Sequence, residues 1–382
     1  MDVEKYVKEE EMVNLPEELI NSPYEYIMNH YESLYKHLSR KYWSVLSLLP
    51  VSLIAPKFIL NGREIRMHLN FLLLADSGHA KSQTAREFEK ISFNVISTKN
   101  MSVPRLYHEV KKRNGDKMTL VVEDVAIWFM DEEKIKFLEG MTGEEESYNR
   151  ENMRNIKDKD KHLDLISFCS GTSENITNRR LKEGILRRFF PMIIVLSKEE
   201  HDEIIDFIMS GSNKKLRIND SEQIVKFYQE LKKIQDGTHP TIQPIEGYIF
   251  PGKERMIKLS DSIKSMTDYL HRKFNHSSAT EVEEVFRLAI SYAFLNIHNK
   301  HKNGLIRDNK LVITEEDLNV AENLIRQEIY AKKIIYSCIY SIDILGFRTM
   351  SKLREWENKR REKGKSGIPK EAKFIYSRNI KK

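Results

Sequence analysis

The sequence predicts an α/β fold, a parallel sheet flanked by helices, followed by an all-helical segment. Three observations predict it. The run Phe71-Leu72-Leu73-Leu74 is apolar throughout, as a strand buried on both faces requires, and a short loop then leads into a helical pattern from Gln83 to Ile91. Met118-Thr119-Leu120-Val121-Val122 repeats the strand pattern and ends in two carboxylates, Glu123 and Asp124. Beyond residue 197 the apolar spacing turns helical and stays so to 333, with candidate helices Ser221–Ile234, Lys253–Phe274, Thr280–Lys300 and Thr314–Lys332.

At 382 residues the chain is long enough to bury a sizeable core, and 40% hydrophobic with 31% charged residues gives it a polar surface. We divide it into a helical segment (1–60), a sheet core (61–197), a helical lid (198–335) and a basic tail (336–382). The net charge is +6, but residues 348–382 alone hold 13 Lys or Arg against 4 Asp or Glu, so the tail carries the basic character. Such a tail suits phosphate backbones; the plainer alternative is a solvated terminus. Cys169 and Cys338 both sit among apolar neighbours, as buried free thiols do in a reducing compartment. No Cys/His grouping has zinc spacing. The acidic opening residues read as no signal peptide, and the longest apolar stretch, Val45 to Phe58, is broken by Pro50 and Pro56 and too short to span a bilayer. These features place the protein in the cytoplasm, with no membrane partner.

Taken in order, Glu25 to Leu49 reads as a helix, with Ile27, Tyr31, Leu34, Leu38, Tyr42, Val45, Leu46 and Leu49 on one stripe. Asn61-Gly62 reads as a hairpin turn. Val95 to Thr98 is a second strand of the sheet, and Ser102 caps a helix from Val103 to Arg113, with Pro104 tolerated in its first turn. A helix follows from Asp131 to Met141, then a strand from Leu163 to Ser170. Arg187 and Arg188 close a helix that runs into the apolar strand from Phe189 to Leu196. Thr314 caps the last helix, whose first turn holds Glu315, Glu316 and Asp317.

The chemistry sits at the ends of the two apolar strands. Strand, loop, Lys81-Ser82 and helix is the layout of a phosphate-binding loop. Backbone N–H groups of Ser77, Gly78, His79, Ala80 and the helix start would converge on phosphate oxygens, Lys81 would reach the outer phosphates, and Ser82 would hold Mg²⁺, with Gln83 beginning the helix. Ala75 and Ala80 stand where the general pattern has glycines, so an ordinary strand-to-helix turn with a surface lysine is the alternative. Glu123, 42 residues after Lys81, would hold the metal through water, and Asp124 would polarise the attacking water; a plain pair of acids at a strand end is the alternative.

Asn61-Gly62-Arg63-Glu64-Ile65-Arg66 and Asn70 through Gln83 together resemble the run into the Walker A motif of minichromosome-maintenance (MCM) helicases, in which alanine commonly precedes the lysine, as Ala80 does here. The resemblance implies an AAA+ P-loop ATPase core with a helical lid, using ATP and Mg²⁺. It implies a homo-oligomer, a hexameric ring, that acts as a helicase or translocase on single- or double-stranded DNA in replication; the compact chain adds replication of a viral or mobile element as an expectation. Thr172 or Ser170 would take the sensor 1 place, and Arg188 would reach the ATP of a neighbouring subunit. The lid arginine of the family falls at Thr280, with Arg287 two turns on. A basic hairpin tip would fall at residues 156–161. The departures, Ala75 and the Glu-Asp order, point to an alternative: a nucleotide-dependent DNA-binding or scaffold protein that hydrolyses little. A genome-packaging motor is a third reading.

Overall fold

The structure is a computed structural model that describes residues 15–35, 37–60, 62–75, 81–112, 117–142, 165–171, 185–194, 202, 206, 218–274 and 276–345. The chain opens with α1 (Glu17–Asn21), α2 (Pro23–Tyr35), α3 (His37–Leu46) and α4 (Leu49–Ile54). The single helix expected from Glu25 to Leu49 is therefore three. The apolar stripe continues across them, because Ile27, Tyr31, Tyr42, Val45, Leu46 and Leu49 are all buried. Pro50 sits in the first turn of α4, where its missing N–H costs nothing, and that favours a fresh helix start after the Ser47-Leu48 turn.

A hairpin follows, β1 (Phe58–Leu60) with β2 (Arg63–Ile65), Leu60 opposite Arg63. Gly62 has φ +78°, the left-handed value a two-residue hairpin loop demands. Next come β3 (Phe71–Ala75), α5 (Lys81–Ile91), β4 (Val95–Thr98), α6 (Val103–Lys112), β5 (Met118–Val122), α7 (Val125–Met130), α8 (Glu132–Thr142), β6 (Leu165–Gly171), α9 (Ile185–Arg188) and β7 (Phe190–Ile194). Five of these strands form one parallel sheet in the order β4-β5-β6-β3-β7. All residues of β3, β5 and β6 are buried, which explains the unbroken apolar run of β3 and the few, small polar residues, Thr119, Ser167 and Ser170, in the other two. Pro191 is tolerated in β7 because that strand lies at the sheet edge, paired to β3 alone.

Helices cover both faces. The chain moves from β3 outward to β4, then back through β5 and β6, and finally past β3 to β7. Right-handed crossovers place α5 on one face and α6 to α9 on the other. The packing agrees: α5 touches α3 and β6, whereas α8 touches α6, α9 and β6. The mixed α/β architecture with a parallel sheet flanked by helices is thus the observed one.

The rest of the described chain is α10 (Ile218–Gln235), β8 (Gly247–Ile249), α11 (Lys253–Phe274), α12 (Ala279–Leu295), α13 (Ile297–Lys302), β9 (Ile306–Arg307), β10 (Lys310–Val312) and α14 (Glu315–Leu345). The expectation that this segment is all-helical is corrected here, because β8, β10 and β9 form a small three-stranded sheet. Its hairpin turns on Asp308 and Asn309, both at positive φ (49° and 56°), which short polar side chains tolerate. Three-residue strands carry no readable alternation, so helical spacing on either side masked them.

These helices share one continuous hydrophobic core with α1 to α4 and the sheet. Hydrogen bonds stitch the two halves together. Tyr228 Oη donates to the Ser47 carbonyl at 2.7 Å, Tyr248 Oη to the Pro56 carbonyl at 2.7 Å, and Arg287 Nε to the Arg66 carbonyl at 2.8 Å. Asn70 does the same at the leading end of the sheet. Its Oδ1 accepts from Ser167 N and Ser167 Oγ, each at 2.9 Å, while its carbonyl accepts from Phe190 N at 2.6 Å. One residue thereby pins β6 and β7 to β3 before the ladder begins. Replacing Asn70 by Ala leaves the buried Ser167 N–H without its acceptor. We expect a loss of about 1–3 kcal/mol in urea unfolding; an unchanged midpoint would remove this pin from the account.

Candidate active site

Parallel strands exit at one end of a sheet, and ligands of open α/β sheets bind outside those ends where successive connections leave toward opposite faces. Here that place is fixed by topology. α5, which follows β3, lies on one face and α9, which follows its neighbour β6, on the other, so the topological switch point falls between the ends of β3 and β6. The expected phosphate-binding loop begins there, directly after Ala75.

Lys81, Ser82 and Gln83 form the first turn of α5. Their backbone N–H groups lie at a helix N-terminus, which carries partial positive charge. Lys81 Nζ donates to the Ala75 carbonyl at 2.7 Å, so the side chain turns back across the loop to the strand it came from. The lysine is half-buried and Ser82 is exposed. Asp76, Ser77, Gly78, His79 and Ala80, which would cradle phosphate, lie outside the described residues.

The acids expected to serve the same site leave the same end of the same sheet. Glu123 and Asp124 follow β5, which is separated from β3 by β6 alone. Two strand spacings put the exits about 10 Å apart. The register brings Leu73 level with Ser170, and Val122 level with Cys169. Ser170 then reaches Glu123: its Oγ donates to the Glu123 carbonyl at 2.8 Å. On the other side Glu123 N donates to the Thr98 carbonyl at 3.2 Å. The backbone of Glu123 is thus held from both neighbouring strands, while its carboxylate is left to project.

That carboxylate meets Lys99, one residue past β4, with Nζ 3.1 Å from Glu123 Oε2. The lysine is 71% exposed and the glutamate 25%, so the pair is weak and easily exchanged for another cation. Asp124 is differently engaged. Its Oδ1 accepts from Ala126 N at 2.9 Å and caps α7. Glu123 and Asp124 are therefore distinct in structure: one carboxylate stands free of the backbone, and the other starts a helix.

Lys99 is the residue that sequence reasoning missed. The signal for it was positional, since any residue just past a strand adjacent to β5 lies beside the acids. Thr172 lies outside the described residues, whereas Ser170, the other sensor candidate, is buried and spent on Glu123. Arg188 stands apart from this group. It ends α9 at the leading end of β7, where Phe190 pairs with Phe71. A five-residue strand is about 17 Å long, so Arg188 and Lys81 of one chain lie at opposite ends of the sheet. Arg287, considered as a lid arginine, is held at the same leading end by the Arg66 carbonyl and by Glu283. Thr280 lies in the first turn of α12.

The donor set suits a hard cation and phosphate. An ammonium and a helix N-terminus favour anions, and a hydroxyl and a projecting carboxylate are oxygen ligands of the kind Mg²⁺ takes. Among the described residues no group of three or more His, Cys, Asp or Glu is placed to hold a metal ion by itself. Cys169 is no nucleophile: it is buried in β6, and burial pushes its thiol far up. No helix of the described residues is long and apolar enough to cross a membrane.

The double engagement of Asp124 separates its two roles experimentally. Asp124→Ala removes the cap of α7 and is expected to cost about 0.5–2 kcal/mol in urea unfolding. Asp124→Asn keeps a capping oxygen and is expected to match the wild type in stability while removing the charge. Equal stability losses in both would show that the cap is not what Asp124 supplies. Comparison with models of known protein families gives no match for this chain, and comparison with curated proteins gives none either.

Proposed function

We propose that the protein is an ATPase of the AAA+ type, resembling the MCM motor core, that assembles as a homo-oligomer and acts on DNA in replication as a helicase or translocase. One observation carries the reading: the loop ahead of Lys81 and the acids Glu123 and Asp124 leave the same end of one parallel sheet at its topological switch point. The helices that follow the sheet occupy the place of the lid in this reading. The basic tail, +9 over residues 348–382, is suited to a phosphate backbone.

In this mechanism Lys81 leaves the Ala75 carbonyl and takes the outer phosphate oxygens, while the N–H groups at the start of α5 hold the inner ones. Ser82 and Glu123 hold Mg²⁺, with Lys99 displaced from Glu123. The ion, when bound, neutralises phosphate charge. Asp124 orients the attacking water. Arg188 cannot serve its own chain's site from the far end of the sheet, and this supports a finger that acts on a neighbour's phosphates.

Lys81→Ala is expected to abolish ATP turnover, with and without single-stranded DNA; equal rates in wild type and variant would sink the motor reading. Arg188→Ala is expected to lower turnover by about 10³-fold or more. Mixing equal amounts of the two inactive variants tests the shared site directly. Random assembly leaves about a quarter of the interfaces with an intact Lys81 facing an intact Arg188. Activity should return on mixing, and a mixture as inactive as its parts would place Arg188 outside the reaction.

A second reading rests on Asp124. An acid already bonded to Ala126 N, in a Glu-Asp rather than Asp-Glu order, is a shorter and less mobile base. A chain that binds ATP and assembles with it, but turns over almost none, would be a nucleotide-dependent DNA-binding or scaffold protein.

A further inference from the structure

Between α12 and α14 lies a group of charges that the nucleotide site does not use. Glu281, Glu328 and Lys332 are fully buried, and Glu284, His276 and Arg287 nearly so. Lys332 Nζ stands 2.8 Å from Glu281 Oε1 and 3.7 Å from Glu284 Oε2, and also contacts Glu328 Oε1. His276 Nε2 lies 2.6 Å from Glu281 Oε1, and the Tyr336 hydroxyl lies 3.3 Å from His276 Nδ1. The two ring nitrogens of His276 thus bridge Glu281 and Tyr336.

The charges do not balance if every carboxyl is ionised. Glu281, Glu284 and Glu328, together with Glu283 at 3.3 Å from Arg287, would set four negative charges against at most three positive ones, on Lys332, Arg287 and the His276 imidazole. An unneutralised buried charge is costly enough that the group takes up a proton instead. Geometry names the acceptor. As bare carboxylates, Glu284 Oε2 and Glu328 Oε2 find no hydrogen-bond donor among the described residues; Glu281 Oε2 finds none either, but its Oε1 is bonded to both Lys332 and His276. Yet the two carboxyls close on the same ammonium, Glu284 Oε2 and Glu328 Oε1 both against Lys332 Nζ, which sets them side by side. Two carboxyls bond only when one of them carries a proton.

We propose that Glu284 and Glu328 share one proton in the folded chain, which makes the contact between α12 and α14 a proton-linked clasp. β7 and α4 present only apolar or hydroxyl-bearing side chains to these helices, and α11 adds His271, bonded to the His276 carbonyl at 3.2 Å. α2, α13 and β10 pack on α12 as well, and the charge that α2 brings, Glu25, acts on Tyr292 two turns beyond Glu284. The clasp matters for the fold because Arg287, one turn beyond Glu284, ties α12 to the segment leading into β3, and α14 packs on β7.

The sign of the linkage follows. Burial holds Glu284 and Glu328 above the ordinary carboxylate range, with the charge of Glu281 adding at Glu284 and that of Glu284 adding at Glu328, so the folded chain keeps a proton that the unfolded chain loses near pH ~4.3. Stability therefore falls as pH rises above that point, until the shared proton leaves. Glu281 acts in a different window. Burial opposes its ionisation, but Lys332 and the His276 hydrogen bond bring it down to about 2, so its contribution is lost only on acidification from about pH 4.5 toward 2. Lys332 is held above its usual value, and its contribution is lost only above pH ~10.4.

Infrared spectra of the full chain in D₂O at pH 7 test the proposal. The carbonyl stretch of a protonated carboxyl is resolved there from ionised carboxylates. It should be present in the wild type and lost in both Glu328→Gln and Glu284→Gln. Urea unfolding between pH 7 and 9 supplies the second readout: the wild-type unfolding constant should rise by up to about tenfold per pH unit, and that of Glu328→Gln should stay flatter. Absence of the band in the wild type overturns the proposal even if neither variant folds. A band that survives both substitutions, or equal pH slopes in wild type and Glu328→Gln, also overturns it.

Discussion

The position of β6 is the constraint on which the site depends. β3 and β5 carry the two chemical ends of the molecule, but they do not pair with each other. Each is in register with β6, and that shared partner sets Glu123 level with Ser170 and Ser170 level with Leu73. A slip of one residue on either ladder would turn every buried side chain to the opposite face. The apolar content of β3, β5 and β6 thus fixes not only the core but the height at which a lysine and two acids stand. Asn70 guards the leading end of that arrangement, where the ladder between β3 and β6 has not yet begun.

At the exit ends, the described groups Lys81, Glu123 and Asp124 each have a partner within the chain, and the partners differ in how readily they release it. Lys81 bonds a carbonyl at the end of its own strand, and Glu123 pairs with an exposed lysine. Exposed ion pairs are worth about 0–1 kcal/mol, far less than a metal ion or a triphosphate offers the same groups. Asp124 is bound more firmly, because losing its bond to Ala126 N uncaps α7. The ordering of these costs implies that Lys81 and Glu123 adjust first when charge enters the crevice, with Asp124 adjusting least.

The parts of this arrangement that the sequence made legible are those where burial forces a uniform composition. β3, β4 and β5 have the bounds that their apolar runs and flanking turns imply, and α5 and α6 begin within two residues of their expected starts. Where several local solutions compete, sequence was less informative. Residues 25–49 keep one stripe through two breaks, because three short helices can bury the same face as one long one. α7 is six consecutive apolar residues and shows no period to read. β8, β9 and β10 exist by pairing rather than by pattern, and their signal was confined to the Asp308-Asn309 turn. The spacing of Arg188 after Lys81 could be counted, but the end of the sheet it occupies depends on strand direction. Lys99 joins the site only because β4 neighbours β5, a fact of topology.

The separation of Arg188 from Lys81 constrains any assembly in which both act on one nucleotide. The exit end of one chain must meet the leading end of the next, a head-to-tail contact in which the two surfaces are different. Such contacts do not pair off as twofold dimers do. They repeat until the rotation closes a ring, or they continue as a filament. A twofold dimer completes the pockets only where the two sheets lie side by side and antiparallel, so that each Lys81 end meets the other chain's Arg188 end. The same geometry makes the contact sensitive to the helices behind it, since α14 lies on β7 and β7 begins two residues after Arg188. Whatever shifts α14 against the sheet would move the arginine relative to the neighbour it serves, while leaving Lys81 and Glu123 of its own chain where β6 holds them.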